Sequence, residues 1–89
     1  MFDTPAPKPG ILVVDDEPFV LDVIEHLLRH HGFEVWPAGG GAEALALYQR
    51  HRDAVALVLL DVQMPGLDGP QTLRALRALN PDVRCCFMS

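Results

Sequence analysis

Two short runs that are apolar at every position constrain this chain most. One reads Ile11-Leu12-Val13-Val14, the other Ala56-Leu57-Val58-Leu59-Leu60. A strand with one wet face alternates polar and apolar residues. A strand without alternation is buried on both faces, as in a parallel sheet covered by helices on each side. Both runs end in acids: the first in Asp15-Asp16, the second in Asp61. If the two strands lie side by side and parallel, three carboxylates share one pocket. Anions at such spacing repel one another and are costly to desolvate, so a pocket of this kind is kept when a cation or chemistry uses it.

The segments between these runs have helical period. Pro18 suits a first helical turn, and Val20, Val23, Ile24, Leu27 and Leu28 follow as one apolar stripe, with Gly32 ending the helix. Glu34-Val35-Trp36 reads as a short strand and Gly39-Gly40-Gly41 as a loop. Ala42 to Arg52 reads as a helix with Leu45 and Tyr48 inward. Val55 to Asp61 is the central strand, and Met64-Pro65-Gly66-Leu67 a loop. Asp68 is placed to cap a helix running to Leu79, with Leu73, Leu76 and Leu79 inward. Asn80-Pro81 breaks that helix, and Val83 to Met88 forms a fourth strand. The order βαβαβαβ with short connections implies an α/β fold: a parallel sheet, helices on both faces, right-handed crossovers.

At 89 residues the chain is one small domain, and a chain of this size buries roughly 60–65% of its unfolded surface. Residues 1–10, with three prolines and a glycine, read as a flexible leader, and residues 11–89 as the domain. The leader has no apolar core segment and is not read as a secretory signal, and the run Ala54 to Leu60 is far too short to cross a bilayer. A cytoplasmic location with no membrane contact is expected. The net charge of -5 argues against nucleic-acid binding by this segment and suits a divalent-metal pocket. Cys85 and Cys86 are neighbours, so in a strand they point to opposite faces, and they are expected to be apolar fillers rather than a disulfide or a metal site. His26, His30, His31 and His51 are expected on solvated helix faces or ends.

From Ile11 to Ser89 the chain resembles the response-regulator receiver domain, the phospho-accepting module of two-component signalling. The resemblance rests on Ile11-Leu12-Val13-Val14-Asp15-Asp16-Glu17-Pro18 and on Leu59-Leu60-Asp61-Val62-Gln63-Met64-Pro65-Gly66-Leu67-Asp68-Gly69, with Ser89 after the last apolar strand. It implies a flavodoxin-like three-layer sandwich with strand order 2-1-3-4, an order for which a receiver protein is a known example. It implies that Asp61 takes a phosphoryl group from a phosphohistidine on a sensor histidine kinase or phosphotransfer protein. Asp16 directly, Asp15 partly through water, Asp61 and the backbone carbonyl of Gln63 would hold Mg²⁺. Ser89 would bond the phosphoryl oxygen and pull the following loop inward, while Pro65 and Gly66 shape the loop after Asp61. Mg²⁺ suits this set, since it prefers oxygen ligands from one or two carboxylates plus a phosphate.

The family domain normally adds a fifth strand, ending in a lysine that contacts the phosphoryl group, and further helices. The lysine of this chain is Lys8, in the leader, so the catalytic lysine is absent from it. The chain is therefore expected to be part of a longer domain; if it folds as given, its fourth strand, guarded by Arg84 alone, is expected to pair with a second copy by dimerisation or strand exchange. Two other functions compete with the phosphoacceptor. One is a receiver-like interaction module that is not phosphorylated. The other is a Mg²⁺-dependent phosphohydrolase, which would need an acid two residues after the nucleophile, where this chain has Gln63. A flavin-type cofactor binder fits worse, because Asp15-Asp16-Glu17 stands where a phosphate cradle would be. The chain is expected not to be an enzyme in the ordinary sense.

Overall fold

The computed structural model describes residues 8–88. Most of the leader (residues 1–7) and Ser89 lie outside the described residues. Seven elements follow in strict alternation: β1 (Gly10–Val14), α1 (Pro18–His30), β2 (Glu34–Ala38), α2 (Gly41–His51), β3 (Val55–Asp61), α3 (Gly69–Leu79) and β4 (Cys85–Met88). The four strands form one parallel sheet in the order β2-β1-β3-β4. This is the α/β, flavodoxin-like order that the resemblance implies.

Every residue of β1 is buried, as its unbroken apolar run requires. Leu12 and Val14 face α2 and α3, where they pack with Tyr48, Val58, Leu60, Met64 and Leu76. Ile11 and Val13 face α1, together with Val35, and meet Leu21, Ile24 and Leu28. The sheet is thus the middle layer of three. Asn80 donates to the hydroxyl of the buried Tyr48 at 2.8 Å, which ties the end of α3 to α2.

Several boundaries differ from the sequence reading. β1 begins one residue earlier, at Gly10, inside the expected leader, because Gly10 already pairs with Glu34 and Val55. β2 runs through Pro37 to Ala38; as an edge strand it can leave one side of its backbone unpaired, so a proline is tolerated. β4 starts at Cys85 instead of Val83, since the Val83 amide closes a turn onto the Asn80 carbonyl at 3.1 Å. Cys86 is exposed and Cys85 half-buried, so only Cys85 acts as a core filler, and burial raises its thiol pKa. The α1 stripe is wider than the surface the helix buries. Leu21, Ile24 and Leu28 reach the sheet, while Phe19, Val23 and Leu27 stay exposed.

Asp68 caps α3 as expected. Its carboxylate accepts from the Gln71 amide at 3.0 Å, and the Gln71 side chain accepts from the Asp68 amide at 3.0 Å, a reciprocal capping box. Asp68→Ala is expected to cost about 1 kcal/mol of stability. Urea unfolding should show a lower midpoint at an unchanged slope, and an unchanged midpoint would show that the box contributes nothing.

Candidate functional site at the carboxyl end of the sheet

The site follows from strand register. Val14 lies opposite Leu60 in the parallel pair β1–β3, so the residue after Val14 stands beside the last residue of β3. These are Asp15 and Asp61. The Asp15 amide donates to the Ala38 carbonyl of β2 at 3.1 Å, which continues the ladder past the end of β1 and fixes the direction of the turn. Asp16 follows on that turn and is exposed; Asp61 is half-buried and Asp15 buried. One carboxylate oxygen from each acid lies within 4.8 Å of the others.

Electrostatics at Asp15 reflect this crowding. Burial pushes its carboxyl above the ordinary range, and the charges of Asp61 and Asp16 push in the same direction. The Glu17 amide, donating to Asp15 Oδ1 at 2.9 Å, opposes the rise without cancelling it. Three oxygen donors at this spacing match a hard divalent cation, which would relieve the repulsion that the fold has built. The residues present therefore fit Mg²⁺.

The loop after Asp61 is held at its root. The Gln63 amide donates to Asp61 Oδ1 at 3.3 Å, and the Gly69 amide donates to the Val62 carbonyl at 3.1 Å. Gly69 allows this closeness, because a Cβ there would overlap the Asp61 carbonyl oxygen and the Val62 backbone. Pro65 and Gly66 are exposed at the loop tip, and Gly66 has φ +76°, a left-handed turn conformation that favours glycine. An open cavity of 340 Å³ lies along the loop, lined by Val62, Gln63, Met64, Pro65 and Asp68.

Of the residues singled out from sequence, Asp15, Asp16 and Asp61 are brought together. Gln63, Pro65 and Gly66 lie on the adjoining loop, and Asp68 is occupied as a cap. Lys8 lines a cavity with Arg29, Phe33 and Glu34, at the opposite end of the sheet. None of the histidines belongs to the acidic cluster. His51 is not solvated as expected: its ring is half-buried and stacks on Trp36, with centroids 4.7 Å apart. The sequence reading missed Glu43, whose carboxylate accepts from the Gly39 amide just beyond β2. It missed Thr72 and placed Gly41 in a loop, whereas Gly41 opens α2; both are buried where α2 meets α3. The one available signal was a glycine and a threonine on otherwise amphipathic helices.

Residues 11–89 match the model of the response regulator receiver domain. The chain is 47% identical to the transcriptional regulatory protein PrrA of Mycobacterium tuberculosis over 88 residues, 98% of this chain and 36% of that protein. It thus spans little more than a third of that relative's length. Among solved structures it resembles the chemotaxis protein CheY4 of Vibrio cholerae, with TM-score 0.85 and 29% identity, covering 90% of this chain and 67% of that one. It also resembles the CheX-CheY-BeF3-Mg complex from Borrelia burgdorferi, with TM-score 0.83 and 28% identity, covering 89% of this chain and 60% of that one. With the sheet order and the motifs in agreement with a family match over residues 11–89, the chain belongs to the response regulator receiver domain family of two-component signalling.

Proposed function

We propose that this domain accepts a phosphoryl group on Asp61 from a phosphohistidine of a sensor histidine kinase or phosphotransfer protein. A carboxylate oxygen of Asp61 forms the new bond to phosphorus, and the bond from phosphorus to the histidine nitrogen breaks. The observation that carries this reading is the convergence of Asp15, Asp16 and Asp61 within 4.8 Å at the carboxyl end of a parallel sheet, where open α/β sheets bind their ligands. Asp15, Asp16, Asp61 and the Gln63 carbonyl would hold Mg²⁺. When bound, Mg²⁺ supplies the positive charge that lets phosphoryl oxygens approach three acids. The similar structure from Borrelia burgdorferi is a complex containing Mg²⁺ and BeF3.

The roles of this chain's residues follow from their placement. Asp61 is held by its neighbour's amide with one carboxylate oxygen engaged, which leaves the other for attack. Asp15, buried and hydrogen-bonded, is the fixed member of the metal set, and Asp16, exposed, the adaptable one. Ser89 would take the phosphoryl oxygen once Asp61 is modified. The domain signals by protein contact in the cytoplasm and does not turn over a substrate. Among the described residues, no helix is long and apolar enough to cross a membrane. If the chain folds as given, a second copy would pair along β4, an edge of the four-stranded sheet that leaves Phe87 46% exposed; a clean monomer in dilute solution would count against that pairing.

Intact-mass spectrometry after incubation with acetyl phosphate and Mg²⁺ tests the central reading. The mass is expected to rise by one phosphoryl group, and the rise to vanish in Asp61→Asn and in EDTA. No gain in the parent chain would sink the phosphoacceptor reading of this segment and leave an interaction module that is not phosphorylated.

A further inference from the structure

We propose that Thr72 is a positioning residue for the acidic site. Its hydroxyl, wedged against the first residue of α2, fixes the loop that presents the Gln63 carbonyl. This rests on the reading of Asp15, Asp16, Asp61 and Gln63 as the Mg²⁺ set.

Thr72 lies one turn into α3, and its side chain is fully buried. A buried hydroxyl without a partner is costly. Thr72 finds its partner outside the helix ladder: its Oγ1 donates to the Leu67 carbonyl at 3.3 Å. Leu67 belongs to the loop between β3 and α3, four residues beyond Gln63. The far end of that loop is therefore held by a side chain as well as by the Asp68 cap.

The other side of this contact is closed by α2. Gly41 opens α2 and is buried. A Cβ on Gly41 would overlap Thr72 Oγ1 and would come within 2.8 Å of Leu67 Cβ and Cδ2. Two helices and the loop thus meet at one point with no room for a single carbon. Between this junction and the root at Asp61, Met64 is buried in the core. The loop is pinned at both ends and once in between, and the exposed Gln63 sits in the first span. Ligand geometry in such sites tolerates errors of only a few tenths of an ångström, so a loop carbonyl serves as a ligand only if its supports are locked. If the Thr72 hydroxyl is removed, the Leu67 carbonyl loses its donor and can turn toward water, which releases the distal half of the loop.

The test separates the hydroxyl from the methyl group. Thr72→Val keeps the shape and removes the hydroxyl; Thr72→Ser keeps the hydroxyl and opens a small void. Two readouts are taken on the full chain: the Mg²⁺ dissociation constant by calorimetry, and amide hydrogen exchange over residues 63–67 in metal-free protein. Thr72→Val is expected to weaken Mg²⁺ binding about tenfold and to speed exchange at 63–67 by a similar factor. Thr72→Ser is expected to stay within about twofold of the parent in both, even though it loses packing and so melts lower. A merely structural role would make affinity follow melting temperature in both variants, and that pattern overturns the proposal. So does Thr72→Val binding Mg²⁺ as tightly as the parent. If the parent itself binds no Mg²⁺, the metal reading fails and hydrogen exchange decides the clamp: faster exchange in Thr72→Val alone supports it, and equal exchange overturns it.

Discussion

Asp15→Asn is expected to stabilise the metal-free protein at neutral pH while removing its affinity for Mg²⁺. The carboxyl of Asp15 is raised above its ordinary value of 3.8 by burial and by the charges of Asp61 and Asp16. Between 3.8 and the raised value, the folded state holds a proton that the unfolded state has lost. The folded state is the more protonated one in that window, so stability falls as pH rises through it. Above the window the penalty is present in full. Asparagine keeps an oxygen for the Glu17 amide and carries no charge. The variant should be more stable than the parent in EDTA at pH 7, and that advantage should shrink at pH 4, near the bottom of the window. Saturating Mg²⁺ should reverse the order. At a hundred times its dissociation constant a ligand adds about 2.7 kcal/mol to the protein that binds it, and the variant should gain none of it. Urea unfolding at the two pH values, with and without metal, checks both halves. A variant less stable than the parent at pH 7 in EDTA would show that the acids are not held in mutual repulsion.

Leu12→Ala is expected to remove most of the stability of this chain. Leu12 is fully buried in the middle of β1 and packs in the cluster formed with α2 and α3. Truncating such a leucine costs about 3–4 kcal/mol, the lost transfer energy plus the cavity left behind. A domain of this size has a stability at the low end of the usual range, about 5 kcal/mol. Leu27→Ala provides the contrast. Leu27 sits in an equally apolar stretch of sequence but is 56% exposed, so its loss should move stability by less than about 0.5 kcal/mol. Chemical denaturation of the two variants beside the parent would show the difference, and a Leu27→Ala cost equal to that of Leu12→Ala would contradict the observed packing of α1.

The two leucines also show where legibility ended. In the sequence, Leu27 belongs to the same helical stripe as Ile24 and Leu28. Periodicity gives the direction a side chain points from its own helix and says nothing of how much sheet lies beneath. α1 covers β1 and β2 through Leu21, Ile24 and Leu28, and the outer part of the stripe is left over. Pro37 is similar: a strand-breaker by local rule, it is accommodated because β2 lies at an edge. His51 stands at a helix end, where contact with solvent is expected, yet it stacks on Trp36, 15 residues earlier in the chain.

The candidate site divides in the same way. Which residues stand at strand ends was readable from the sequence alone, because an apolar run stops where its chain leaves the buried sheet. The cap at Asp68 and the turn at Pro65-Gly66 were readable too, since backbone hydrogen bonds and φ preferences act over a few residues. That Asp15 and Asp61 stand side by side required β1 and β3 to be neighbours. Periodicity leaves that pairing open; the resemblance implied it and the sheet order shows it. The glycine and the threonine stand out on their helices, but the contact that joins Thr72, Leu67 and Gly41 is set by the tertiary structure alone. It joins residues from three segments through the absence of a Cβ and one buried hydroxyl. The sequence by itself determined the elements and the acids at their ends, because those follow from local chain physics. Only the tertiary structure decided how far each apolar face is covered and what locks the loop beside Asp61, because burial is shared between segments distant in the chain.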